Sequence, residues 1–209
     1  MGTAHLHAVA SLDGYIADEH DNVGPLHDRY FAGDHPVARE DHPDVHGAPF
    51  RVSAASVDYV RGMWSRQKVL VIGRHQFDLT NGWEGHPPAG DHVVVVSHRP
   101  RPSGWHAEAP YHFATSVEAG MARAQELACD AEIGVGAGDV GGQALSLGLI
   151  DHVAIDVVPV VFGGGKHYFG TLPNGPLMLE DPDVVMQGEG VLHLRFPVAT
   201  VRRPPSGAS

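Results

Sequence analysis

Short apolar runs bounded by turn residues recur along the whole chain: Leu6 to Ala10, Val69 to Ile72, Val93 to Val96, Ile133 to Val135, Val153 to Val161 and Val191 to Phe196. Each is brief and rich in β-branched residues, the pattern of a strand. Between them, Ser53 to Gln67, Ser116 to Cys129 and Val140 to Leu149 have helical composition. The second of these opens with Thr115 and Ser116, which can cap the exposed amides, and carries Glu118 where the helix dipole favours an acid. Strand alternating with helix predicts an α/β domain around a largely parallel sheet. The last two runs, separated by Gly163-Gly164-Gly165 and a Pro-rich stretch, are expected to add antiparallel strands at one edge. Asp18 to Pro49 breaks the rhythm: it is crowded with Asp, His, Pro and Gly and has no sustained period. It reads as a long loop, an ordered wall or lid over the sheet, whose apolar island (Val23 to Leu26, then Tyr30 and Phe31) something must cover. One domain is expected over residues 1–200, with residues 201–209 as a flexible tail.

Composition narrows the function more than the fold. The chain has 209 residues, 43% of them hydrophobic, enough for one buried core. Its formal charge of -11 repels polyphosphate backbones, so a nucleic-acid partner is not expected. The single Cys129 can form no internal disulfide and no thiol cluster exists for structural zinc, which suits a reducing cytoplasmic setting. No run of about 18 apolar residues occurs, so no membrane partner is expected either. The 16 His would shift the net charge strongly on mild acidification.

Three strand ends carry candidate chemistry. Gly136-Ala-Gly138-Asp139-Val140-Gly141 follows a short strand and opens a helix, satisfying the G-x-G-x-x-G spacing in which backbone amides approach a phosphate. The acidic partner expected about 20 residues later is missing: Asp156 has the spacing but lies mid-strand, facing a helix layer. A glycine turn that merely lets helix and strand pack explains the same residues. Gly73-Arg74-His75-Gln76 and Ser97-His98-Arg99 end two other strands, and guanidinium with hydroxyl suits a dianionic phosphate. An edge ion pair is the plain alternative for Arg74. If Arg74, Ser97 and Arg99 converge on a 2'-phosphate, the dinucleotide is NADP and not NAD. Ser11-Leu12-Asp13-Gly14 follows the first strand, where Asp13 is either a functional carboxylate or a turn residue bonded to its own backbone.

SLDGYIA, VLVIGRHQF, VVVVSHRP and IGVGAGDVGGQALSLGLIDHVAIDVVPVVFGGG, in this order, resemble the dihydrofolate reductase fold and more closely the reductase domain of riboflavin biosynthesis and its stand-alone bacterial relatives. The likeness spans about Leu6 to Phe196. It implies a three-layer α/β fold with a mostly parallel sheet and an antiparallel C-terminal edge, and a homodimer. It also implies NADPH along the strand ends: Gly73, Arg74, His75, Gln76, Ser97, His98 and Arg99 near the adenosine and pyrophosphate, and Gly136, Gly138, Asp139, Val140 and Gly141 near the pyrophosphate and nicotinamide. The zinc-binding deaminase domain of the bifunctional riboflavin enzymes is absent, Gln76 stands where a Thr is usual, and FDLTNGWEGHP replaces their Asp-Asp-Pro segment.

These departures leave hydride transfer to a small C=N, C=O or activated C=C substrate, pteridine- or pyrimidine-like or a specialised metabolite, as the expected reaction. The cofactor carries the difficult chemistry and the protein orients it. Asp13, Asp28 and Tyr30 are the catalytic candidates, and Ser11, Asp13, Gly14, His27, Phe162 and Gly163 the substrate-side ones. His5 and His7 share one face of the first strand, but no comparable His and carboxylate spacing elsewhere completes a metal site, so none is expected and most His are expected to face solvent. The alternative is a non-catalytic protein that binds NADPH or another small molecule.

Overall fold

The computed structural model describes residues 1–37, 50–172 and 175–199. The expected tail, and residues 38–49 of the expected lid, lie outside them. The chain opens with β1 (Ala4–Ser11), β2 (Tyr15–Ala17), α1 (Gly24–Tyr30), β3 (His35–Pro36) and β4 (Arg51–Val52). Then follow α2 (Ala54–Arg66), β5 (Gln67–Gly73), α3 (Arg74–Leu79), β6 (His92–Val96), β7 (Tyr111–Ala114) and α4 (Val117–Ala128). The last part holds β8 (Glu132–Gly136), α5 (Asp139–Ser146), β9 (His152–Val158), β10 (Lys166–His167), β11 (Val184–Gly188) and β12 (Val191–Pro197).

Eight strands form one sheet in the order β11-β12-β9-β1-β8-β5-β6-β7. Neighbours from β9 to β7 run parallel, and β12 and β11 add an antiparallel edge. The expected edge is therefore present with one shift. The run from Val153 forms β9, parallel to β1 and inside the sheet, and it ends at Val158, before Pro159, which has no amide to donate to a ladder. β7 and β11 were not foreseen. Within Asp18 to Pro49, α1 and β3 are ordered elements, and α3 begins at Arg74, where a turn was expected.

The two faces follow from strand alternation. Leu6, Val69, Val71, Ile133, Val135 and Val153 pack against Met121 and Ala124 of α4, Ala144 and Leu145 of α5, and Tyr168. The opposite face takes Leu26 and Tyr30 of α1 and Val57 and Val60 of α2, with Val158 and Val191. The result is three layers. α4 forms where expected because Ser116 Oγ accepts the Ala119 amide (3.1 Å) and its apolar positions recur at helical spacing. On the α1/α2 side, β1 presents His5, His7, Val9 and Ser11. This is the first correction to the solvent-facing histidines: His5 and His193 are buried, and His7, His27, His92, His112 and His152 are partly covered.

Candidate functional site

The ends of β5, β6 and β8 lie side by side, so the three candidate turns come together. Gly73 ends β5 and Arg74 begins α3, whose first turn also carries His75 and Gln76. Arg74 Nε bonds Asp78 Oδ1 one turn later (2.7 Å), and its Nη1 reaches the Pro100 carbonyl (3.0 Å) and Ser97 Oγ (3.5 Å). Arg99 Nη2 bonds the other oxygen of Asp78 (2.6 Å). Ser97 is buried; its hydroxyl accepts the Arg99 amide (3.0 Å) and donates to the Arg99 carbonyl (2.7 Å), which fixes the turn after β6. Burial pulls the Asp78 carboxyl upward, but the hydrogen bonds and charges of the two guanidinium groups outweigh it and hold the group below its usual range. This is the ion pair given above as the plain alternative for Arg74, here shared with Arg99.

The other two residues of that cluster point elsewhere. His98 is exposed. His75 Nε2 lies 2.9 Å from Asp21 Oδ1, with Lys166 Nζ 3.7 Å from the same oxygen. The turn from Asp18 to Asn22, closed by the Asp18 carboxylate on the amides of His20 and Asn22, thus reaches across from β2 to α3.

The glycine turn after β8 divides by role. Gly138 has φ of 96°, a conformation that disfavours a side chain, and its amide donates to the Tyr168 carbonyl (2.7 Å). A Cβ on Gly141 would stand 2.3 Å from Leu6 Cδ1 and 2.7 Å from the Gly136 carbonyl oxygen, so here the packing explanation holds: α5 needs it to sit on β1. Gly136 differs, because a Cβ there would meet only the Gln76 Oε1 end at 3.0 Å before ordinary contacts. Gly73 approaches Val140, whose Cγ2 would lie 3.2 Å from a Cβ on the glycine, so the β5 and β8 turns touch. Asp139 is exposed in the first turn of α5, and its Oδ1 accepts the Thr171 amide (3.2 Å).

At the end of β1, Ser11 Oγ donates to Asp13 Oδ1 (2.6 Å) and accepts the Tyr15 amide (2.9 Å). Asp13 also accepts the amides of Phe162 (3.2 Å) and Gly163 (2.8 Å). The Ser11 bond and these two amides hold its carboxyl below the usual range against a smaller cost of burial. Ser11, Asp13, Gly14, Phe162 and Gly163 therefore form one assembly, two turns tied by a carboxylate, with Gly14 and Gly163 at positive φ. Asp28 is exposed on α1. His27 is half-buried, edge-on to Phe31, and burial lowers its basicity. Tyr30 is buried, and desolvation followed by the neighbouring Asp156 pushes its phenol well above its ordinary value.

Asp156 is not among the site residues expected from the sequence. It faces the α1/α2 layer as expected and is fully buried, yet both oxygens are engaged. His193 Nδ1 lies 2.6 Å from Oδ1; His7 Nε2 and Tyr30 Oη each lie 2.8 Å from Oδ2. His193 Nε2 continues to Ser56 Oγ on α2 (2.9 Å). Burial alone would raise the Asp156 carboxyl; the charge of His7 and the hydrogen bonds of His193 and His7 overcome that and hold it well below the usual range. The signal was present in the sequence as an Asp inside VAIDVV, between strands reading HLH and LHL. Among the described residues no group of three or more His, Cys, Asp or Glu is placed to hold a metal ion, and no helix is long and apolar enough to cross a membrane.

No family model matches the sequence, and no curated protein matches it. Solved structures do. A protein from Shewanella sp. PV-4 assigned by resemblance to riboflavin biosynthesis superposes with a TM-score of 0.64 at 20% identity, covering 94% of this chain and 98% of that one. The riboflavin biosynthesis reductase of Saccharomyces cerevisiae gives 0.59 at 11% identity over 95% and 90%. Dihydrofolate reductase from Enterococcus faecalis, solved with NADP(H), gives 0.54 at 14% identity over 95% and 97%. The fold of this chain is that of the dihydrofolate reductase-like proteins.

Proposed function

We propose that the chain is an NADPH-dependent reductase acting on a small C=N, C=O or activated C=C compound of pteridine- or pyrimidine-like character. The observation that carries the reading is the meeting of Arg74 and Arg99 on one carboxylate, beside the touching glycine turns that end β5 and β8. The E. faecalis protein of this fold was solved with NADP(H), and the yeast relative is a reductase of riboflavin biosynthesis, which supports the same assignment.

The residues fit the cofactor at each end. Arg74 and Arg99, with Ser97 fixing their turn, would bind a 2'-phosphate in place of their bonds to Asp78. Gly136, Gly138, Asp139 and Val140 leave room for a pyrophosphate against the first turn of α5, where the helix dipole favours an anion. Reduced nicotinamide, when bound, supplies a hydride. The chain orients the acceptor and supplies the proton. Asp13 holds the β1–β2 turn against Gly163 and so shapes the far wall of the same sheet edge.

We also place the protein as a homodimer. Val185 and Leu192, on one face of the antiparallel edge, are 64% and 38% exposed, and Met178 is 81% exposed. Such apolar exposure on an ordered sheet face favours a second copy as its cover.

The test is direct titration with NADPH and NADH, followed by oxidation assays with imines, pterins, enones and quinones. Tight NADPH binding with turnover of one acceptor class is expected. Binding without turnover on any acceptor would favour a sequestering protein, and no binding would end the reading.

A further inference from the structure

Reduction of a polar double bond needs a hydride on one atom and a proton on the other, and none of Asp13, Asp28 and Tyr30 is free to give the proton. Asp13 is ionised and tied to two amides, Asp28 faces solvent on α1, and Tyr30 is buried with its proton committed to Asp156. Resting on the reductase reading above, we propose that His7 is the proton donor and that the buried carboxylate of Asp156 is its positioning residue.

Among the described residues three side chains hydrogen-bond Asp156, and two of them, Tyr30 and His193, are buried. The His7 side chain is 22% exposed while Asp156 is 0% exposed, so of these three partners His7 is the one that links the carboxylate to solvent. Its place in the sheet puts it beside a turn proposed for the cofactor: in register it pairs with Gly136, the last residue of β8, on one side and Ala154 on the other. Gly136 has no side chain to cover the imidazole, and the atom nearest the space a Cβ would fill is Gln76 Oε1. An ionised carboxylate only accepts, so the 2.8 Å contact requires the proton on His7 Nε2. That leaves Nδ1, on the opposite edge of the ring, to carry the second proton of the imidazolium.

The rest of the cluster keeps Asp156 charged and still. His193 and Tyr30 each donate to it, and the Ser56 hydroxyl fixes the far nitrogen of His193. Ser56, His193 and Asp156 are spaced like a nucleophilic relay, but all three are buried and a Cβ on Gly188 would fall 2.2 Å from Ser56 Oγ, so no substrate reaches that hydroxyl. The arrangement serves His7 instead. Burying an ionised carboxylate costs several kcal/mol unless it is paired and hydrogen-bonded, and here His7, His193 and Tyr30 all meet it.

The step balances. The acceptor carbon receives a hydride, two electrons with one hydrogen, from reduced nicotinamide, which is left oxidised. The acceptor heteroatom, or the second carbon of an activated C=C bond, takes the proton from His7 Nδ1. Neutral His7, its Nε2–H still on Asp156, regains a proton from water. The titratable groups around it are Asp156 on β9, His193 on β12, Tyr30 on α1, Tyr59 on α2, and His5 on its own strand with Glu132 and His152 beside it.

The test follows the histidine ring resonances of the full-length protein by NMR, assigned through His7→Gln, with and without NADP⁺, whose binding is measured separately by calorimetry. NADP⁺ should shift the His7 titration midpoint by about half a pH unit or more, because a dinucleotide bound beside Gly136 would bring its charge close to the imidazole, and should leave His193 unmoved. With a turned-over acceptor, His7→Gln should lower the rate by about 100-fold or more, hold NADPH affinity within about twofold and flatten the pH profile. Asp156→Asn should lower the rate and displace the His7 midpoint; if it fails to fold, His193→Gln provides the same readout. NADP⁺ bound with the His7 titration unmoved overturns the role of His7 and leaves the reductase reading standing. No NADP⁺ binding at all removes the reading and this inference together.

Discussion

Gly136 and Gly141 sit five residues apart in one turn, and the structure predicts opposite consequences for the same added methyl group. At Gly141 the new Cβ would stand 2.3 Å from Leu6 Cδ1 and 2.7 Å from a backbone carbonyl, where carbon contacts normally begin near 3.5 Å. Leu6 is fully buried and the carbonyl cannot rotate away, so α5 must withdraw from β1. Overpacking of this kind costs about 1–3 kcal/mol, and the roughly 1 kcal/mol that Ala gains over Gly within a helix offsets part of it. Gly141→Ala should therefore lose up to about 2 kcal/mol of stability. At Gly136 the first atom met is the amide oxygen of the exposed Gln76, 3.0 Å away, which can swing aside. Ala in a strand is favoured over Gly by about 0.5–1 kcal/mol, so Gly136→Ala should leave stability level or slightly raised. It should weaken NADPH instead, about tenfold or more, because its methyl group fills space beside the proposed pyrophosphate path. Urea denaturation gives the first quantity and quenching of protein fluorescence by NADPH the second. Gly136→Ala destabilised as much as Gly141→Ala, or bound to NADPH as tightly as the parent, would refute the division of the turn into a packing glycine and a ligand glycine.

Arg74→Ala removes one of two guanidinium groups, and a charge-assisted bond of about 1.5–3 kcal/mol should vanish from NADPH binding, a loss of roughly 10- to 100-fold; NADH affinity, measured in parallel, should change less than about twofold. His5 is buried, and desolvation lowers its pKa from 6.5 to about 4, against a smaller pull from Glu132. The folded state thus binds fewer protons than the unfolded chain between those values. Stability should fall as pH drops from about 6.5 to 4, by at most about 3 kcal/mol from this group, and urea midpoints at several pH values should show the loss shrinking in His5→Gln. Tyr168→Phe deletes a fully buried hydroxyl shared between the carbonyls of Leu6 (3.0 Å) and Ala154 (2.8 Å), and should cost about 1–2 kcal/mol in the same assay. Light scattering should give twice the chain mass, and Val185→Lys, placing a charge on the exposed sheet face, should shift it toward the monomer.

Much of the fold was legible because its central strands are β-branched runs buried on both faces, which need no partner to be recognised. β5, β6, β8 and β9 follow that rule, whereas β1 carries His5 and His7 on one face and β12 leaves Leu192 exposed. β7 escaped because His112 interrupts Tyr111 to Ala114, and β11 because Met186, Gln187 and Gly188 dilute an edge strand that is partly solvated. α1 was hidden by the acid- and His-rich composition around it, although Leu26 and Tyr30, four apart, mark its buried side. The turns proposed for the cofactor stand out in sequence because charge and glycine gather at strand ends. The interior polar cluster could not be read the same way. Asp156, His7 and His193 come from three strands distant in sequence, and only the sheet order places them in contact. What sequence does show is a carboxylate in a buried strand, which must find partners, and the alternating His of two other strands on the face that can supply them.

Equilibrium binding of NADPH and NADH to the unmodified protein tests the central claim most directly, since it needs no knowledge of the acceptor. The account predicts NADPH bound at least about tenfold more tightly than NADH, the margin that two guanidinium groups on a 2'-phosphate should supply. Equal affinity for the two, or no binding of either, would contradict it.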